Sequence, residues 1–179
     1  MYTCNMAIQQ GVTVGKLSVI FLIVAGLTNM FADEIKEQDF HLKIDLINRE
    51  RSKDSNSQRY RVEVKNKAVT YTYSYSGYPG DQKKSKKYTL SDEELSEIIQ
   101  TIKDEKIEVS VEEKKSTKAN GVTISVDLSL FLKLEGKITE SKISGNVRIF
   151  RADGEIKGEL IRNKNYVNSV ESLIGDLER

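Results

Sequence analysis

The chain has 179 residues, with 28 Lys and Arg against 27 Asp and Glu, one His, one Cys, one Pro and no Trp. A balance so near neutrality argues against a general nucleic-acid binder, which carries a strong basic excess. A lone Cys4 and a lone His41 leave no disulfide, no thiolate or multi-histidine metal centre, and no cysteine nucleophile in the body of the chain.

The first pattern along the chain is the uncharged run LSVIFLIVAGLTNMFA over 17–32, set between Lys16 and Asp33-Glu34. A positive flank, a short apolar stretch and a small residue before the cut is the layout of a secretory signal peptide. The run has 16 residues, against the about 20 that a membrane-spanning helix needs. Met30 departs from the small residue expected three positions before cleavage. The expectation is a signal peptide over 1–32 and a single secreted or periplasmic domain over 33–179, with no membrane span after cleavage. The alternative is a membrane anchor retained through 17–32. Lys16 is the one charge before Asp33, so 33–179 carries acidic and basic side chains in equal number. No N-x-[ST] acceptor occurs, in keeping with a bacterial exported protein.

Period-two alternation then dominates, which is the strand signal. Phe40, Leu42, Ile44 and Leu46 alternate with polar residues, and the polar stretch 49–57 reads as a long turn. Tyr60, Val62 and Val64 form the next apolar stripe, and Val69, Tyr71, Tyr73 and Tyr75 the one after a turn at Asn66-Lys67. The segment 77–87, rich in Gly and Lys, reads as a loop. Ser91 with Glu94 makes a capping box, and Leu95, Ile98, Ile99 and Ile102 give one apolar helix face.

Alternation returns at Ile107, Val109 and Val111, with Asn120-Gly121 read as a hairpin turn before the long strand 122–134. Gly136 marks another turn, and Asp153-Gly154 a second hairpin between 138–151 and 155–162. Val167, Val170, Ile174 and Leu177 are spaced as a final helix face, capped by Asn163 or Asn165. The order predicts an α+β domain: a mainly antiparallel sheet of six to seven strands, a central helix and a C-terminal helix.

Chemistry-bearing patterns are few. His41 is out of phase with Phe40 and Leu42 and belongs to a polar strand face. Asp153-Gly154-Glu155 lacks the repeated acidic positions of a calcium loop, and phosphate-loop, HExxH and G-x-S-x-G motifs are absent. No cofactor and no metal are expected, and no catalytic residue is singled out. The candidate binding residues are Tyr71, Tyr73, Tyr75 and Tyr78, with Lys83, Lys84, Lys86 and Lys87 just beyond. Tyrosines offer wide contact area with a polar tip. The lysines suit an acidic protein or an anionic glycan of the cell envelope. The competing use of the same stripe is as the half-buried face of a sheet, with the lysines in a solvated loop.

The stretch Ser76-Gly77-Tyr78-Pro79-Gly80 resembles a glycine loop of cystatin-like protease inhibitors, including the emfourin type. The order of sheet, loop, capped helix, strands and final helix is similar to theirs at a coarse level. That resemblance implies an exported α+β domain and protease inhibition, with no inhibitory residue carried across. Three functions are therefore in play. The first is a non-enzymatic exported domain that binds another macromolecule, the second a secreted protease inhibitor. The third is a hydrolase using paired carboxylates, which would need one with a raised pKa.

Overall fold

The computed structural model describes residues 39–52, 55–150 and 158–178. The apolar run over 17–32 and the Asp153-Gly154 pair lie outside them. The strands are β1 (His41–Arg51), β2 (Asn56–Lys65), β3 (Ala68–Ser76), β4 (Gln82–Thr89), β5 (Glu112–Lys114), β6 (Val122–Leu134) and β7 (Lys137–Phe150). The helices are α1 (Asp92–Asp104) and α2 (Lys164–Asp176).

Strand alternation is converted into rows of apolar side chains by the register. Leu42 sits opposite Val64 on one side and Leu132 on the other, and Val64 in turn faces Val69. Ile44 does the same with Val62 and Leu130. All of these are buried. Each fully buried aliphatic side chain contributes about 1.5–3 kcal/mol. A slip of one residue would turn a whole strand's contribution to water.

The strands lie in the order β4-β3-β2-β1-β6-β7-β5. Five neighbouring pairs are antiparallel and the edge pair β5–β7 is parallel, so the sheet is mixed. Two-residue turns join β2 to β3 and β6 to β7; the first places Asn66 at φ 57°, the second Glu135 and Gly136 at 52° and 78°. Leaving β4 at one edge, the chain passes through α1 and returns at the opposite edge as β5. A return of that kind permits the parallel pairing.

Both helices cover one face of the sheet. In α1, Ser91 Oγ accepts from the Glu94 amide at 3.2 Å and Glu94 Oε2 accepts from the Ser91 amide at 2.7 Å, which completes the capping box. Leu95, Ile98, Ile99 and Ile102 are its buried residues, as the spacing predicts. In α2 the buried residues are Val167, Val170, Leu173 and Ile174, and Leu177 just beyond is fully buried. Asn163 holds the cap position but makes no capping bond of its own. Glu113 of β5 does that work: its carboxylate accepts from the Arg162 amide (2.8 and 3.0 Å), the Asn163 amide (3.0 Å) and Asn163 Nδ2 (2.9 Å).

Five sequence expectations change. The segment 77–87 is not one loop, because β4 begins at Gln82 and pairs with β3. Tertiary pairing overrides the weak strand preference of its lysines. Asn120-Gly121 does not close a hairpin, since β5 and β6 are not neighbours. The Ile107–Val111 alternation is not a strand: Ile107 is buried just after α1, and Val109 is 51% exposed. The turn expected over 49–57 is shorter, because β1 runs to Arg51 and β2 starts at Asn56. Of 155–162, the described part forms a single parallel bridge, Leu160 with Asn146.

Candidate functional site

The candidate residues all fall on or beside the β3–β4 hairpin, which the strand register divides into two faces. Tyr71, Tyr73 and Tyr75 share the helix-facing side with Val69. They do not form one surface. Tyr71 is fully buried, and the Tyr73 ring packs on Tyr60 with centroids 5.2 Å apart. Burial pushes the Tyr71 phenol well above its ordinary value, and the nearby Glu178 carboxylate adds to the rise, so it stays protonated. Tyr75 is a brace: its hydroxyl donates to the Tyr78 carbonyl at 2.7 Å. Tyr88 likewise donates to the Leu177 carbonyl at 2.6 Å, tying β4 to the end of α2.

Tyr78 is different. It stands at the hairpin tip, 85% exposed, before a cis bond to Pro79. The tip beneath it is closely packed. Gly77 has φ 148°, and a Cβ there would meet Asn56 Cβ at 2.8 Å and the Tyr75 hydroxyl at 3.0 Å. Only glycine fits that backbone and that space.

The lysines split by the same alternation. Lys84 and Lys86 lie opposite Tyr73 and Tyr71, whereas Lys83 and Lys87 lie opposite Ser74 and Thr70 on the face that neither described helix covers. Lys86 Nζ donates to the Glu178 carbonyl at 3.0 Å. Lys83, Lys84 and Lys87 are exposed and make no ion pair among the described residues. Lysines on an edge strand also discourage pairing with a second chain.

The face that neither described helix covers carries a lattice of charges that sequence spacing did not single out. Its signal was present in the phase: Arg59, Arg61 and Glu63 alternate with Tyr60, Val62 and Val64 and so point away from the core. Arg59 grips Asp45 through two bonds of 2.8 and 2.5 Å, and Arg61 approaches the same carboxylate at 3.5 Å. Glu63 lies 2.9 Å from His41 Nε2 and 3.3 Å from Lys43 Nζ. Asp127 accepts from Arg49 and Ser144. His41 meets the edge of Phe131, with centroids 5.4 Å apart. Two shallow cavities of about 340 and 440 Å³ flank Asp45 and Ser129 on this face.

These carboxylates are held in the ionised form. Asp45 is lowered chiefly by its bond from Arg59, and Glu63 by its bond from His41. For Asp127, burial pushes upward, but the bonds from Ser144 and Arg49 outweigh it. Among the described residues no group of three or more acidic or histidine side chains comes together as a metal site. No described helix is long and apolar enough to cross a membrane. No protein-family model matches the sequence, and no curated protein matches it either.

Proposed function

We propose that the chain is an exported, non-enzymatic domain that binds another macromolecule through the β3–β4 hairpin. The observation that carries this is Tyr78, a large aromatic side chain 85% exposed on a tip braced from below by Tyr75 and Gly77. An exposed aromatic on a rigid support loses little freedom on binding, which favours its use as an anchor. Lys83 and Lys87, on one face of β4 and without an ion pair among the described residues, suit an acidic partner. Tyr71 and Tyr73 contribute by fixing the hairpin against the core rather than by contact. The state of the carboxylates fits a binding role: Asp45 and Asp127 are tied to arginines and lowered, the opposite of the proton donor a glycosidase needs.

The protein, purified as the full chain and immobilised, should retain a specific partner from the envelope or secreted fractions of its source cells. Replacing Tyr78 with Ser and Lys83 and Lys87 with Ala should release that partner. Retention undiminished by the triple change would remove the hairpin from the proposal.

Protease inhibition is a special case favoured by the same tip. A protruding segment fixed by packing suits insertion into an enzyme cleft, and Ser76–Gly80 is the stretch that resembles the inhibitor glycine loop. Stoichiometric, saturable inhibition of an extracellular protease, lost on Gly77→Ala, would select this case. A captured partner without proteolytic activity would reject it.

A further inference from the structure

The side of β2, β3 and β4 that neither described helix covers has an order of its own. Reading across the register, Glu63, Thr70 and Lys87 form one row, Arg61, Thr72 and Ser85 the next, and Arg59, Ser74 and Lys83 the third. The middle strand thus presents hydroxyls alone, Thr70, Thr72 and Ser74, between two strands that carry cations. Lys83 and Lys87 on the outer strand make no ion pair among the described residues, and Lys65 continues the inner strand beyond Glu63. The acids that β1 and β2 place beside the lane are already engaged: Asp45 by Arg59 and Arg61, Glu63 by His41 and Lys43. A net positive field therefore remains along the lane. Strand geometry puts about 13 Å between Lys83 and Lys87, and about 10 Å across the hydroxyl strand.

We propose that this lane is a binding track for a linear acidic polysaccharide, which would make the hairpin's partner an anionic glycan. The inference rests on the binding role proposed above. Charge complementarity selects a polyanion, and the composition of the lane selects a glycan over an acidic protein. Protein interfaces centre on aromatic and aliphatic anchors, whereas every side chain in the three rows is a hydroxyl or a charge. Hydroxyls side by side with fixed cations match a chain whose monomers alternate hydroxyl groups with carboxylate or sulfate. A merely protective role for edge lysines makes a different demand, since it is indifferent to which face they occupy.

That difference supplies the test. The full chain is titrated with polygalacturonate, dextran sulfate, poly-L-glutamate and neutral dextran at low and physiological salt. Wild type should bind one or both anionic glycans, more weakly as salt rises, and neutral dextran should not bind. The two anionic glycans separate a carboxylate from a sulfate preference. Lys83→Gln/Lys87→Gln should weaken binding at least tenfold. Lys84→Gln/Lys86→Gln removes the same charge from the same strand on the other face and should change it less than twofold. Lys86 contacts the end of the chain, so Lys84→Gln/Lys137→Gln serves as a second charge-matched control, with thermal melts confirming the fold of each.

Equal losses from the two faces would overturn the track. So would poly-L-glutamate binding as tightly as the glycans, which would point to an acidic protein. Capture of a partner through Tyr78 with no glycan binding would sink this inference and leave the binding role standing. Loss of both would remove the two together.

Discussion

Replacing Glu113 should loosen the start of α2 from 49 residues away in sequence. Its carboxylate takes the amides of Arg162 and Asn163 and the Asn163 side chain, so it caps a helix that has no cap of its own. A helix cap is worth about 1 kcal/mol, and a negative charge at a helix start adds up to about 1 kcal/mol. Glu113→Ala should therefore cost about 2 kcal/mol, and Glu113→Gln, which keeps one acceptor, about half of that. For a domain of this size the alanine loss corresponds to about 6 °C in Tm.

The effect has a pH signature. Burial pushes Glu113 upward, but the amides of Arg162 and Asn163 and the Asn163 side chain pull it below its ordinary value of 4.5. A group lowered in the folded state stabilises above its unfolded pKa, and that contribution disappears as pH falls through the folded value. The gap between wild type and Glu113→Gln should be full at pH 7, begin to shrink below pH 4.5 and be smallest at the acid end. Urea denaturation from pH 7 to pH 3 reads this directly, with the exposed neighbour Glu112→Gln as control. A cost below about 0.5 kcal/mol for Glu113→Ala, the range of ordinary surface changes, or a gap that does not vary with pH, would refute the reasoning.

Three further outcomes are expected. The buried Tyr71 hydroxyl closes no hydrogen bond among the described residues, so Tyr71→Phe should leave stability unchanged or raise it by up to about 1 kcal/mol; a clear loss in a denaturation curve would show that its approach to Glu178 matters. Gly77→Ala forces a Cβ against Asn56 at φ 148° and should cost about 1–3 kcal/mol in a thermal melt; a neutral result would mean that the tip is not rigid. Asp45→Asn should cost about 1 kcal/mol at neutral pH. Because Asp45 is lowered from its ordinary 3.8 by Arg59, that cost should fade as acid titrates wild type below this value; a cost that persists in acid would contradict the ion-pair assignment.

Much of the architecture was legible where one period rules a whole segment. The helix face Leu95-Ile98-Ile99-Ile102 with its capping box and the long strand 122–134 appear in the structure as the sequence implies. The edges were not legible. A lysine-rich run such as 82–89 has no apolar face to show a strand, because an edge strand has neighbours on one side only. β5 is three residues long and is held by β7 and by Glu113's grip on α2, contacts distant in sequence. The candidate surface was legible as composition and not as geometry. Alternation placed Tyr71, Tyr73 and Tyr75 together, yet only packing separates a buried Tyr71 from an exposed Tyr78. The division of four consecutive-looking lysines between two faces required knowing that they lie on a strand.

The most direct test of the binding role is site-specific photo-crosslinking in the source cells. A benzoylphenylalanine at position 78, on the hairpin tip, is compared with one at position 100, exposed on α1. A discrete adduct formed from position 78 and absent from position 100 is the expected result. Adducts of equal yield from both positions, or none from position 78 while the protein is folded and expressed at its normal level, would contradict a partner docked on the β3–β4 hairpin.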